Sequence, residues 1–143
     1  NPERQIVVLP WLSTGMFMAL LDLCDVYLDC PSFSGYTTAL QAVRSGLPVV
    51  TLEGAYLRHR LAAGLLRQIR CADTVAASPD EYIDIDVRMA KESRVSTNWS
   101  VRRNSLRSAA TLADSNLEAV RMFEREILAT LDHPVKDYGK AES

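Results

Sequence analysis

Residues 35–54, GYTTALQAVRSGLPVVTLEG, decide the fold. Ala39, Leu40, Ala42 and Val43 recur at helical spacing. Gly46 stands where a helix commonly ends in a left-handed residue. Leu47 to Leu52 then read as a buried strand, an apolar β-branched run with Pro48 only at its start. Glu53-Gly54 turns the chain again. A helix that leads straight into a strand of this kind is the unit of a parallel sheet covered by helices.

The same alternation extends outward. Upstream, residues 5–9 (QIVVL) read as a strand closed by Pro10. Residues 13–24 read as a helix capped by Ser13 or Thr14, with apolar side chains nearly all round and burial expected on several sides. Residues 25–29 (DVYLD) read as a second strand. Downstream, 56–69 read as a helix and 73–76 as a short fourth strand. Ser78-Pro79-Asp80-Glu81 opens the next helix, which is expected to run to about Glu92. Ser caps it, Pro occupies its first position, and two carboxylates face the positive end of its dipole. Residues 99–131 read as helical, basic early at Arg102, Arg103 and Arg107, then amphipathic with Leu117, Val120, Phe123, Ile127 and Leu131 among the apolar positions. The expectation is an α/β fold, a Rossmann-like parallel sheet of about four strands flanked by helices. Residues 1–131 form a single lobe with a helical carboxyl-terminal segment, and 132–143 a polar tail.

Composition narrows the function classes. The 143 residues are 48% apolar and 24% charged, with a net charge of −2. A chain like this does not stay disordered, and it offers no global basic field to nucleic acid. No apolar run reaches the roughly 18 residues of a membrane span. Cys24, Cys30 and Cys71 are an odd, sparse set without a CxxC pair. Neither a disulfide framework nor a metal site is expected from them, and the cytoplasm suits such thiols. Asn98-Trp99-Ser100 matches the glycosylation tripeptide by chance, there being no visible secretion signal. The chain opens on Asn1-Pro2 rather than Met, and the expectation is a piece of a longer protein.

In an open parallel sheet, ligands bind beyond the carboxyl ends of the strands. The informative loop there runs from Asp29 to Thr38 and delivers a helix N-terminus, with its free backbone N–H groups and positive dipole end. Thr37 and Thr38 add hydroxyl donors, and Gly35 admits an anion close to the backbone. Chemically this is a phosphate seat; spacing alone favours the plainer alternative, a helix cap by Ser34 or Thr37. Asp22, Asp25 and Asp29 form either a carboxylate cluster or turn and cap residues. His59 with Arg58, Arg60 and Glu53 either flanks the cleft or lies on an exposed polar helix face. Cys30 has no His placed to activate it. The basic stretch Arg94 to Arg107, with Trp99, reads as a solvated helix face.

Four motifs in this order and spacing carry a family resemblance. They are Gly35-x-Thr37-Thr38, then Gly46-x-Pro48-Val49-Val50-Thr51, then Gly54 with Arg58 and Arg60, then Ser78-Pro79-Asp80-Glu81-Tyr82-Ile83. Together they resemble the carboxyl-terminal lobe of the O-linked N-acetylglucosamine transferase family, in particular its SPINDLY-type, tetratricopeptide-fused members. The resemblance runs from Arg4 to about Leu131. It implies a two-lobe GT-B glycosyltransferase whose carboxyl-terminal lobe holds UDP-N-acetylglucosamine, with transfer to a Ser or Thr hydroxyl of a protein and no metal. Thr37 and Thr38 match the threonines that hold the donor diphosphate. Gly35 and Tyr36 belong to the same helix start, where many relatives have His or Asn in place of Tyr36. Gln41 stands where relatives grip the ribose with Asp or Glu, Thr14 where some have Lys, and Leu20 where some have Arg; Arg60 flanks the donor. The resemblance also implies an amino-terminal lobe as partner, which 143 residues do not hold, so the chain alone is expected to be inactive. A homodimer through the uncovered Leu117, Val120, Phe123 and Ile127 stripe is expected. The alternative is a degenerate, non-catalytic scaffold or oligomerisation module.

Overall fold

A computed structural model describes residues 5–114 and 117–131, with side chains for 5–114 and 120–131. The chain divides into two compact units, Asn1–Ala113 and Asp114–Ser143. The expected tail at 132–143 lies outside the described residues.

The sheet of the first unit has three strands, β1 (Tyr27–Leu28), β2 (Val49–Leu52) and β3 (Val75–Ala76), parallel and in that order. Tyr27 lies opposite Val49, and Thr51 opposite Val75. The central strand is buried on both faces, as its composition predicts. Val49 packs with Ala39, Ala42, Val43, Leu65, Leu66 and Leu106. These come from α2 (Tyr36–Arg44), α3 (Leu61–Gln68) and α5 (Trp99–Ala110). Val50 packs on the other face with Ala76, Ile85 and Met89, the last two from α4 (Pro79–Val95). The parallel sheet between helical layers is therefore present, with three strands.

The fourth strand, expected at residues 5–9, is not one. Ile6, Val7 and Val8 are 70%, 78% and 90% exposed. A β-branched run becomes a strand when a neighbour takes up its backbone hydrogen bonds and a layer covers its side chains. Among the described residues nothing does either. Helix α1 (Thr14–Leu23) is capped by Ser13, whose hydroxyl accepts the Met16 N–H at 3.4 Å. The expectation of burial on several sides fails: only Leu21 is buried, and Met16 and Leu23 are exposed.

Where local chemistry is strong, the elements fall as read. Gly46 follows α2 with φ of +72°. A Cβ there would lie 2.6 Å from the Arg103 carbonyl oxygen, so both backbone angle and space require glycine. Ser78 accepts the Glu81 N–H at 3.2 Å while the Glu81 carboxylate accepts the Ala77 N–H at 2.8 Å. The helix expected over 56–69 breaks into a 3-10 turn, Leu57–His59, and α3. The segment expected over 99–131 likewise breaks into α5, a 3-10 turn at Thr111–Ala113, and α6 (Leu117–Leu131), which belongs to the second unit.

Candidate functional site

At the carboxyl end of β1, every polar group of Asp29 is engaged. The residue is 2% exposed. Its Oδ1 accepts the Gly35 N–H at 2.9 Å, and its Oδ2 accepts the Thr51 hydroxyl proton at 2.7 Å. Its backbone N–H donates to Val50 at 2.9 Å, and its carbonyl accepts the Tyr82 hydroxyl at 2.9 Å. One residue thus ties the α2 loop to β2 and α4. Burial, followed by the nearby Asp29 charge, pushes the Tyr82 phenol up to about 12, so it stays a donor at neutral pH. Asp22 and Asp25 are exposed and form no cluster with it. Of the two readings open for these carboxylates, Asp29 follows the structural one.

At the start of α2 the N-cap is Gly35, which has no side chain to cap the helix; its own N–H is held by Asp29. Ser34 is buried instead against the next helix, its hydroxyl accepting the Ala62 N–H of α3 at 2.8 Å. Ser34 thus caps α3 from across the sequence. That is why α3 starts at Leu61 with no local capping residue. Thr37 does not cap either; it is exposed. Thr38 folds back so that its Oγ1 accepts the Tyr27 hydroxyl proton at 2.9 Å. A Cβ on Gly35 would stand 2.5 Å from that Thr38 oxygen.

A cavity of about 580 Å³ lies against this turn, lined by Leu9, Pro10, Trp11, Leu12, Thr14, Phe17, Leu20, Thr38 and Gln41. Three residues singled out from the sequence, Thr14, Thr38 and Gln41, meet there, together with Leu20. Gly35, Tyr36, Thr37 and Arg60 are not among its lining residues. Tyr36 and Thr37 form the exposed first turn beside it.

Arg60 is held on the neighbouring loop. Its Nε donates to Glu53 Oε1 at 3.1 Å, while Arg67 of α3 grips both Glu53 oxygens. The Arg67 hydrogen bonds, opposed by burial and helped by Arg60, hold the Glu53 carboxyl down at about 2. Sequence reading missed Arg67. Its partner lies across a turn and a helix start, at no spacing that a local pattern registers. His59 packs edge-on against Tyr56, over whose ring Arg58 lies at 4.8 Å. Among the described residues, no group of His, Cys, Asp and Glu could hold a metal ion. All three cysteines are free, and burial pushes the Cys71 thiol up.

The basic stretch before Arg107 is not simply a solvated face. Arg102 pairs with Asp73 at 2.6 Å. Arg103 donates to the carbonyls of Cys24 at 3.0 Å and Ser45 at 3.3 Å, satisfying the last carbonyls of α1 and α2. No helix among the described residues is long and apolar enough to cross a membrane.

A parallel sheet flanked by helices, with a helix start following the carboxyl end of its first strand, is the arrangement of a Rossmann-like lobe. The chain belongs to glycosyl transferase family 41, whose model matches residues 6–122. It is 26% identical over 114 residues to the probable UDP-N-acetylglucosamine–peptide N-acetylglucosaminyltransferase SPINDLY of Petunia hybrida, covering 80% of this chain and 12% of that protein. It is 32% identical over 92 residues to the UDP-N-acetylglucosamine–peptide N-acetylglucosaminyltransferase of Caenorhabditis elegans, covering 64% of this chain and 8% of that protein. Among solved structures, a mutant of the Thermobaculum terrenum O-GlcNAc transferase matches with a TM-score of 0.66 and 32% identity. That match covers 84% of this chain and 22% of the other. The chain therefore spans a small part of each relative. The family and GT-B-lobe fold class read from its motifs both stand.

Proposed function

We propose that this chain holds the nucleotide of a UDP-sugar donor, UDP-N-acetylglucosamine, for transfer to a Ser or Thr hydroxyl of a protein in the cytoplasm. The observation that carries this reading is the meeting around one cavity of about 580 Å³ of Thr38, which matches the family's residue, with Thr14 and Gln41, which stand at donor-site positions where relatives have other residues. That volume lies in the range of small-molecule sites. The α2 N-terminus suits a diphosphate by its free N–H groups and dipole. Gly35 leaves the backbone open there, Tyr36 frames the first turn, and the Thr37 and Thr38 hydroxyls donate to phosphate oxygens. Gln41 accepts from a ribose hydroxyl, without the charge that makes such bonds about twice as strong. Arg60 supplies positive charge on the adjoining loop, its side chain 53% exposed despite the Glu53 pair.

Sugar transfer also needs an acceptor held in line and the leaving diphosphate neutralised. Among the described residues no charged side chain lines the cavity. On this reading the amino-terminal lobe supplies both functions, no metal is used, and the isolated chain shows no turnover. Self-association through α6 belongs to the same reading. Val120, Phe123 and Ile127 are exposed, while the Leu117 side chain lies outside the described residues. The uncharged lining also favours a second reading, a non-catalytic module, because Thr14, Leu20 and Gln41 all lack the charge found in relatives.

A UDP titration followed by amide shifts separates the two. The first reading expects Gly35, Tyr36, Thr37 and Thr38 to move first. Joint Thr37→Ala and Thr38→Ala substitution weakens binding by about 1–3 kcal/mol, and Gln41→Glu tightens it. Shifts on another surface, or no effect from either change, leave the module.

A further inference from the structure

Building on that nucleotide reading, we infer that Tyr27 is a positioning residue, whose hydroxyl turns the Thr38 hydroxyl into a dedicated donor toward an anionic ligand in the cavity. Tyr27 is well placed to do this. It lies on β1, its backbone N–H donates to Pro48 at 2.8 Å, and its ring packs against the core on the α2 side. Its phenol donates to Thr38 Oγ1 at 2.9 Å.

A threonine hydroxyl has one proton and two acceptor lone pairs. Tyr27 occupies the acceptor side of Thr38. Among the described residues no protein acceptor takes the Thr38 proton in return, although helical threonines commonly give it to a carbonyl of the preceding turn. The Asp29 carboxylate accepts from Gly35 and Thr51 and makes no hydrogen bond with Thr38. The Thr38 proton is left for whatever occupies the cavity that Thr38 lines.

Gly35 belongs to the same device. A Cβ there would sit 2.5 Å from Thr38 Oγ1, 3.7 Å from the Tyr27 hydroxyl oxygen and 3.8 Å from Asp29 Oδ1. The bare Cα makes room for the pair. A donor held in advance matches a phosphate oxygen, which only accepts. It does little for a neutral nucleoside, which lacks the phosphate. Tyr27 therefore contributes to the preference for a nucleoside diphosphate over its nucleoside.

The test is a titration of the full chain with UDP and, separately, with uridine, comparing wild type, Tyr27→Phe, Thr38→Val and the double variant. Amide spectra confirm that each is folded. Tyr27→Phe is expected to raise the UDP dissociation constant roughly three- to tenfold and leave uridine unchanged. If Tyr27 acts through Thr38, the double variant binds UDP no more weakly than Thr38→Val alone. Tyr27→Phe binding UDP like wild type, weakening both ligands alike, or adding its loss to that of Thr38→Val overturns the inference and leaves the nucleotide reading standing. A wild-type chain whose α2 start does not respond to UDP overturns that reading and this inference with it.

Discussion

Two of the segments that line the cavity differ in how they are held. One is the first half of α2, where Thr38 is held by Tyr27, the preceding Gly35 by Asp29, and Ser34 by the start of α3. The other is Leu9 to Leu12, apolar residues in no helix or strand, following Ile6 to Val8, which are exposed. Both segments have sequences that look like core. The difference lies in partners. In and before α2, Ser34, Gly35 and Thr38 each find a fixed partner, and the apolar face of the helix finds β2 and α5. The β-branched run at residues 5–9 finds neither among the described residues. Apolar composition alone does not make a wall; a second surface must be present to accept it.

The sharpest way to break this comparison is a pair of truncations. Leu66→Ala removes a side chain that is 1% exposed and is expected to destabilise the chain by about 2–5 kcal/mol. Val8→Ala, at a residue 90% exposed, is expected to change stability by less than about 0.5 kcal/mol. Urea denaturation reads both. A loss at Val8 comparable to that at Leu66 means the run at residues 5–9 is packed in solution, and the contrast disappears.

Asp29→Ala tests whether the α2 wall is held by its tether. The substitution strands the Gly35 N–H and the buried Thr51 hydroxyl, at an expected cost of about 2–3 kcal/mol. It should also broaden amide signals from Gly35 to Thr38. A stable variant with an unchanged spectrum in that turn would show that helix packing alone positions α2.

The smallest effect concerns the adjoining loop. Glu53 titrates at about 2 instead of its ordinary 4.5. Its folded-state value is depressed, so its contribution is present above the unfolded value and lost as pH falls through about 2. Because both arginines are about half exposed, Glu53→Gln should cost only about 0.5–1 kcal/mol at neutral pH. The wild-type advantage should vanish toward pH 2 in acid-denaturation curves. An advantage that persists there removes the ion pairs as its cause.

Much of the candidate site was legible because its signals are local. Gly46 announces a helix end by the one backbone angle that other residues resist, and the hydroxyl-rich loop announces a helix start. The family resemblance assigned Thr14, Thr38 and Gln41 to one site from positions that no periodicity connects, and the three line one cavity. Arg67 escaped because its partner, Glu53, sits across a turn. Tyr27 escaped because an aromatic in a strand reads as core, and its hydroxyl matters only once Thr38 lies beside it.

The sequence by itself determined the alternation of helix and strand from Asp25 to Glu92, the parallel sheet and the family. Each of these rests on residues close in the chain, or on motifs kept in order. Tertiary structure alone decided that residues 5–9 do not pair, that Ser34 caps α3 rather than α2, and that Arg103 closes the ends of α1 and α2. In each case a backbone or hydroxyl group must find a partner far along the chain. Which partner comes within 3 Å or so is set by packing of the whole lobe and leaves no local trace.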